Sequence, residues 1–228
     1  MTSRSSSGNP QSGLCWYAVQ KLPPLLDAFS SEIAGVQEAQ DIEYIHRMRV
    51  ASRRLRAALP LFSTCFPEKQ YTKWMRELTG ITRALGQARD ADVQIAWLEK
   101  SLKRLRKEGD AVADRTKTGN PSMEPALRFL LLDLQKRRGN LQKRVLSALA
   151  VLEKSRVITE MQDAFRSMKV STGPGTGRLA LHGIPPVAAF RISRRLMTLL
   201  SFEPWVKDPE AVAEHHATRI AAKKLRYT

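Results

Sequence analysis

An eleven-residue pattern occurs twice in this chain, and it constrains the fold more than any other feature. Residues 46–56 read His-Arg-Met-Arg-Val-Ala-Ser-Arg-Arg-Leu-Arg, and residues 216–226 read His-Ala-Thr-Arg-Ile-Ala-Ala-Lys-Lys-Leu-Arg. Every basic position of the second copy has a basic partner in the first. Arg47 is the one extra charge. A long-period repeat points to two related halves.

The pattern has a helical period. At about 100° per residue, His46, Arg49, Arg53 and Arg56 fall within about 80° of arc, and so do His216, Arg219, Lys223 and Arg226. Ile45, Met48, Leu55, Leu59 and Phe62 take a different face, suited to a bundle core. A solvated helix mixes signs to gain i,i+4 pairs. These stripes do not, and residues 47–61 contain no acid at all. Like charges at such spacings destabilise a helix by roughly a few tenths of a kcal/mol each. An anion lying along the stripe removes that cost. The same logic extends to Lys73, Arg76 and Arg83, which run beside an apolar face of Trp74, Leu78, Ile81 and Leu85. It extends further to the basic run around Asp133, where Arg137 and Arg144 join the candidate site.

The whole chain shares this bias. Its 228 residues carry 38 Lys+Arg against 22 Asp+Glu, a formal net charge of +16. Such a chain repels itself, and a polyanionic partner is the usual physical answer. Nucleic acid, an acidic membrane and inorganic polyphosphate all qualify on charge alone. Hydrophobic residues make up 43%, enough for a core. Cys15 and Cys65 are too few for a disulfide scaffold or a four-cysteine zinc site, and are read as ordinary thiols in a reducing cytosol. No apolar run reaches the ~18 residues of a membrane span. Residues 1–13 are Ser/Gly-rich without an apolar stretch, so they are read as a disordered tail and not a signal peptide.

Period-2 alternation is absent, and the chain reads as all-α. Helices are expected at residues 14–40, with a kink or break at Pro23-Pro24, and at 41–61, with Asp41 as N-cap. Pro67 opens a third helix, which Gly86 stops. A fourth runs from about residue 90 to 107. Others cover 124–152, 155–168, 186–202 and 208–228. Four Gly and three Pro within residues 171–186 mark a linker. The expected organisation is a tail (1–12), a first bundle with helices leading to the second half (13–170), the linker (171–186) and the start of a second bundle (187–228).

Leu85-Gly86-Gln87-Ala88-Arg89-Asp90-Ala91-Asp92-Val93 lies between the two copies. With them, it resembles the motifs of the CHAD (conserved histidine α-helical domain) family, from about residue 13 to 228. The resemblance implies two similar four-helix bundles around a basic central channel. It implies binding of inorganic polyphosphate, with His46, Arg49, Arg53, Arg54 and Arg56 as ligands in the first half. In the second half the ligands are His216, Arg219, Lys223, Lys224 and Arg226. Arg89 and Asp90 match the family's Arg-Asp pair. That family continues for two to three helices beyond the second motif, so the second bundle is expected to be incomplete in this chain.

Asp90 and Asp92 have two readings: pairing with Arg side chains, or capping the fourth helix, which is preferred. Gly173 to Arg178 lacks the Gly-Lys-(Ser/Thr) ending of a phosphate loop and is read as linker. His182 is incidental and His215 faces solvent. No metal cluster, nucleophile elbow or cofactor motif is visible, so no cofactor and no enzyme activity are expected. The expected function is non-catalytic polyphosphate binding in the cytoplasm, with association with polyphosphate granules. A nucleic-acid-binding helical protein is the alternative, and a phosphohydrolase a weaker one. Aromatics are only 7%, which disfavours a stacking platform for single strands. No membrane partner is expected.

Overall fold

The computed structural model describes residues 10–39, 41–112, 123–171 and 184–226. Among these every regular element is helical, and none is a strand. The helices are α1 (Pro10–Ser30), α2 (Ile33–Glu38), α3 (Ile42–Ala58), α4 (Glu68–Val112), α5 (Glu124–Lys154), α6 (Val157–Ser171), α7 (Ile184–Leu200) and α8 (Val212–Arg226). Short 3-10 turns cover Leu59–Cys65 and Glu203–Trp205. No described helix is long and apolar enough to cross a membrane. Most of the expected tail and linker, with His182 and residues 173–178, lies outside the described residues.

Several boundaries differ from the sequence expectation, among them that the last helix begins at Val212 and not at residue 208, and three have a clear physical reason. Helix α1 runs on past Pro23 and Pro24 and ends at Ser30. A proline inside a helix costs about 3 kcal/mol. The face of Val19, Leu22, Leu26 and Phe29, all buried, continues in phase through both prolines and opposes that cost. Helix α3 ends at Ala58 because Pro60 cannot donate to the carbonyl one turn back. The third correction is the largest. Gly86 is not a stop; α4 is one helix of 45 residues, about 67 Å long. A helical glycine costs only about 1 kcal/mol, and Leu78, Ile81, Leu85, Ala88 and Ala91 stay in phase and buried across it. The Asp41 cap is as expected: the Glu43 backbone N–H donates to Asp41 Oδ1 at 2.8 Å.

The chain divides into two compact units, each assembled from separated stretches. One comprises the described residues of Met1–Asp27, Arg53–Met75 and Val157–Thr228. Its core includes Leu22, Leu26, Leu55, Leu59, Phe62, Val157 and Met161. Phe66, Trp74 and Phe165 form an aromatic cluster there, with centroids 5.1 to 6.3 Å apart. In the same unit α7 packs on α8, while Phe190 and Met197 of α7 remain largely exposed.

The other unit comprises Ala28–Ser52 and the described residues of Arg76–Arg156. Its core includes Phe29, Val36, Ile45, Met48, Leu78, Ile81, Leu85, Leu98, Val145 and Leu149. The buried hydroxyls of Ser52 and Thr82 donate to helix carbonyls, Arg49 O at 2.9 Å and Leu78 O at 2.6 Å. Arg106 and Arg128 both donate to Glu124 Oε1, at 3.0 and 2.6 Å, and hold its carboxyl below the usual carboxylate range.

Cys15 and Cys65 form a disulfide, with Cα atoms 5.5 Å apart. This corrects the thiol reading: residues 50 apart in sequence meet where α1 lies against the end of the 3-10 turn. Tyr17, also on α1, meets Phe62 of that turn at 6.1 Å between ring centroids.

Two predictions follow from this packing. Closing a loop of that length removes about 4 kcal/mol of unfolded-state entropy on the chain-entropy model. Guanidinium unfolding with and without reductant should show a loss of that order, and thiol titration of the native protein should find no free thiol. A Cβ at Gly35 would overlap the Tyr44 ring, whereas one at Gly139 meets nothing. Gly35→Ala should therefore destabilise by about 1–3 kcal/mol, and Gly139→Ala should stabilise by about 0.5–1 kcal/mol. Urea midpoints of the two variants check both signs.

Candidate anion-binding site

Helix α3 carries the first stripe. Its apolar face holds Ile45, Met48 and Leu55 in the core at 3% exposure or less. That anchoring leaves His46, Arg49 and Arg56 half-buried, and Arg53 exposed. Arg54 is also exposed, but it points about 100° away from Arg53 and lies off the stripe. His46 Nδ1 is buried, and no described residue hydrogen-bonds to it.

Helix α4 brings the Leu85–Val93 motif against α3. Arg49 Nη2 lies 3.9 Å from Asp90 Oδ1, and Arg89 Nη1 lies 3.5 Å from Glu43 Oε1. Gly86 sits beside this contact: a Cβ there would be 3.7 Å from Arg49 Nε, an ordinary van der Waals distance. An alanine therefore fits, while a longer side chain at this position meets the Arg49 guanidinium.

The second acidic motif residue turns inward. Asp92 is 3% exposed at its side chain, and Arg138 Nε of α5 donates to Asp92 Oδ1 at 2.5 Å. Arg138 Nη1 donates to Gln142 Oε1 at 3.1 Å, and Gln142 Nε2 donates to the Val36 carbonyl at 2.9 Å. This chain of bonds ties α4 to α5 and α5 to the end of α2. The capping reading of Asp90 and Asp92 is thus corrected. Both lie well inside a continuous helix, where no free N–H groups need a cap, and both pair with arginines.

Arg138 was missed as a positioning residue because it stands in a run of cations. Its helical phase gives it away: 138, 142, 145, 149 and 152 share one face, and Val145, Leu149 and Leu152 are buried. Arg137, one residue earlier, is exposed and pairs along its own helix with Asp133 at 2.8 Å. Lys73 pairs with Glu160 of α6 at 2.6 Å, and Arg76 with its neighbour Glu77 at 2.9 Å. Arg83 and Arg144 are exposed.

The second stripe lies on α8. His216, Arg219, Lys223 and Arg226 are all exposed along one arc. Lys224, which corresponds to Arg54, again lies off the stripe. It lines a shallow cleft between α7 and α8 with Arg195, Phe202 and Ala221. His215 is exposed, and its Nε2 lies 3.0 Å from the Trp205 carbonyl oxygen.

The arrangement can hold a flexible anion along a helix. Successive stripe residues rise by about 4.5–6 Å, three or four residues at a time. Arginine suits such a ligand, because its planar fork can engage two oxygens at once. The Asp92–Arg138 pair supports the motif from beneath. Asp92→Ala should cost about 3–5 kcal/mol, since it leaves a partly buried guanidinium without its partner. Combining it with Arg138→Met should recover part of that loss, as urea unfolding of the three variants will show.

Residues 21–228 match the family model of the CHAD domain. The crystal structure of the CHAD domain from the plant Ricinus communis superimposes with a TM-score of 0.62 at 21% identity. That match covers 100% of this chain and 68% of the plant chain. At this identity the likeness establishes a shared helical fold. No curated protein matches the sequence. The family model spans nearly the whole chain and includes both basic stripes and the motif between them, and on that ground the chain belongs to the CHAD domain family.

Proposed function

We propose that this protein binds inorganic polyphosphate without chemical turnover, through the stripes on α3 and α8. The observation that carries the reading is the occurrence of two matched helices, each presenting one histidine and three long cations in a single arc. His46, Arg49, Arg53 and Arg56 contact the ligand from α3, and His216, Arg219, Lys223 and Arg226 from α8. Arg54, Lys224 and Arg89 contribute charge beside them, as do Lys73, Arg76, Arg83, Arg137 and Arg144 further out. The polyphosphate association of the CHAD family supports this choice of anion. Residence on polyphosphate granules is part of the same proposal.

Nucleic acid is the less favoured partner. Single-strand binders interleave aromatic platforms with cations. Residues 216–226 contain no Phe, Tyr or Trp. Tyr44 of α3 is covered by the Arg47 guanidinium, 4.5 Å from its ring centroid.

The test is binding of long-chain polyphosphate, of single-stranded DNA of equal charge and of a duplex, each across a salt series. Polyphosphate should bind most tightly at physiological salt. Arg49→Ala/Arg53→Ala and Arg219→Ala/Lys223→Ala should each weaken it strongly. Removing two phosphate contacts should lower the slope of log K against log salt by about 1.4, taking about 0.7 per contact for a single strand. Equal binding of all three polyanions would reduce the stripes to a generic basic surface. Release of free phosphate that depends on His46 would replace the binding reading with an enzymatic one.

A further inference from the structure

Three arginine–carboxylate pairs link the motif region to its neighbours, and they are of two kinds. Arg138 and Asp92 form a hydrogen-bonded pair at 2.5 Å with both side chains largely buried, 16% and 3% exposed. The other two are longer and more open. Arg49 and Asp90 stand 3.9 Å apart with the Asp90 side chain 70% exposed, and Arg89 and Glu43 stand 3.5 Å apart with Glu43 47% exposed. At 3.9 Å the Arg49 pair exceeds hydrogen-bond distance, so its guanidinium keeps N–H capacity for another acceptor. Both open pairs join α3 to α4 within one compact unit. Arg49 belongs to the stripe and Arg89 stands one helix away.

We infer that Asp90 and Glu43 are built-in counter-ions of the anion site, which a bound polyanion displaces. With no ligand bound, each carboxylate offsets part of the repulsion among the α3 cations. On binding, phosphate oxygens take its place at the guanidinium, so the ligand gains only the difference between the two interactions. The carboxylates therefore set the affinity of the site below what its cations alone would give. Their loose geometry and exposure allow them to turn back to water when displaced. Asp92 does not act this way, since it is buried and bonded to a residue of α5. The inference rests on the polyphosphate reading of the stripe.

The test measures long-chain polyphosphate binding at fixed salt for the wild type, Asp90→Asn, Glu43→Gln and the double variant. Asp163→Asn is the control. Asp163 pairs with Arg166 of its own helix, α6, at 3.2 Å, an element that carries no stripe, and the substitution changes net charge by the same amount. Asp90→Asn and Glu43→Gln should each tighten binding about three- to fivefold, and the double variant about tenfold. Asp163→Asn should change it by less than about twofold. Asp90→Glu, which restores the charge, should return affinity toward the wild-type value. Thermal midpoints confirm that the variants fold.

Weaker binding in Asp90→Asn would overturn the inference and make the carboxylate a positioning residue that holds Arg49 in place. A gain no larger than in Asp163→Asn would overturn it too, leaving only a long-range charge effect. In both cases the wild type still binds, so the polyphosphate reading survives. A wild type that does not bind polyphosphate removes the reading and the inference together.

Discussion

Repulsion among like charges on α3 is the constraint that the rest of the site answers. Arg49, Arg53 and Arg56 share one arc, and no acid interrupts residues 47–61. Left alone, such a helix is unfavourable in water. It is held by its other face, where Ile45, Met48 and Leu55 are buried almost completely. Burial of each such side chain contributes about 1.5–3 kcal/mol, far more than one like-charge contact removes. Core packing thus lets the protein keep an arrangement of charge that local helix energetics oppose.

Helix α4 supplies the second part of the answer. Its unbroken course past Gly86 carries Arg89, Asp90 and Asp92 on different faces of one continuous helix. Each pairs with a charge on another helix: Glu43, Arg49 and Arg138. A stop at Gly86 would place these residues in the first turn of a new helix, where acids favour the N-terminal dipole. In a continuous helix that role disappears, and the same residues become cross-helix partners. The bonds from Asp92 through Arg138 and Gln142 to the Val36 carbonyl then fasten α5 and α2 to the same framework.

The two stripes are alike in sequence and differ in surroundings. On α3 the histidine and two of the arginines are half-buried, while on α8 every stripe residue is exposed. Helix α7 packs on α8 yet leaves Phe190 and Met197 largely in water. Partly buried cations are less screened by salt than exposed ones. At high ionic strength the α3 stripe should therefore retain a larger share of its attraction for anions.

Much of the helical architecture was legible in the residues themselves. Apolar positions spaced three and four apart mark the buried faces of α3 and α4, and the same count places the cations on a separate arc. Both depend only on helical phase, which is local. Other features rest on which helices touch. Cys15 meets Cys65 because α1 lies against the turn after α3. Arg138, not Arg137, faces inward because α5 presents that side to α4. Asp90 and Glu43 stand against arginines because α3 and α4 are neighbours at that level. Sequence alone determined that this chain is helical and carries two matched basic stripes. Only the tertiary structure decided which charges are answered by carboxylates and that the two cysteines join, because these contacts link residues far apart along the chain, where helical periodicity holds no information.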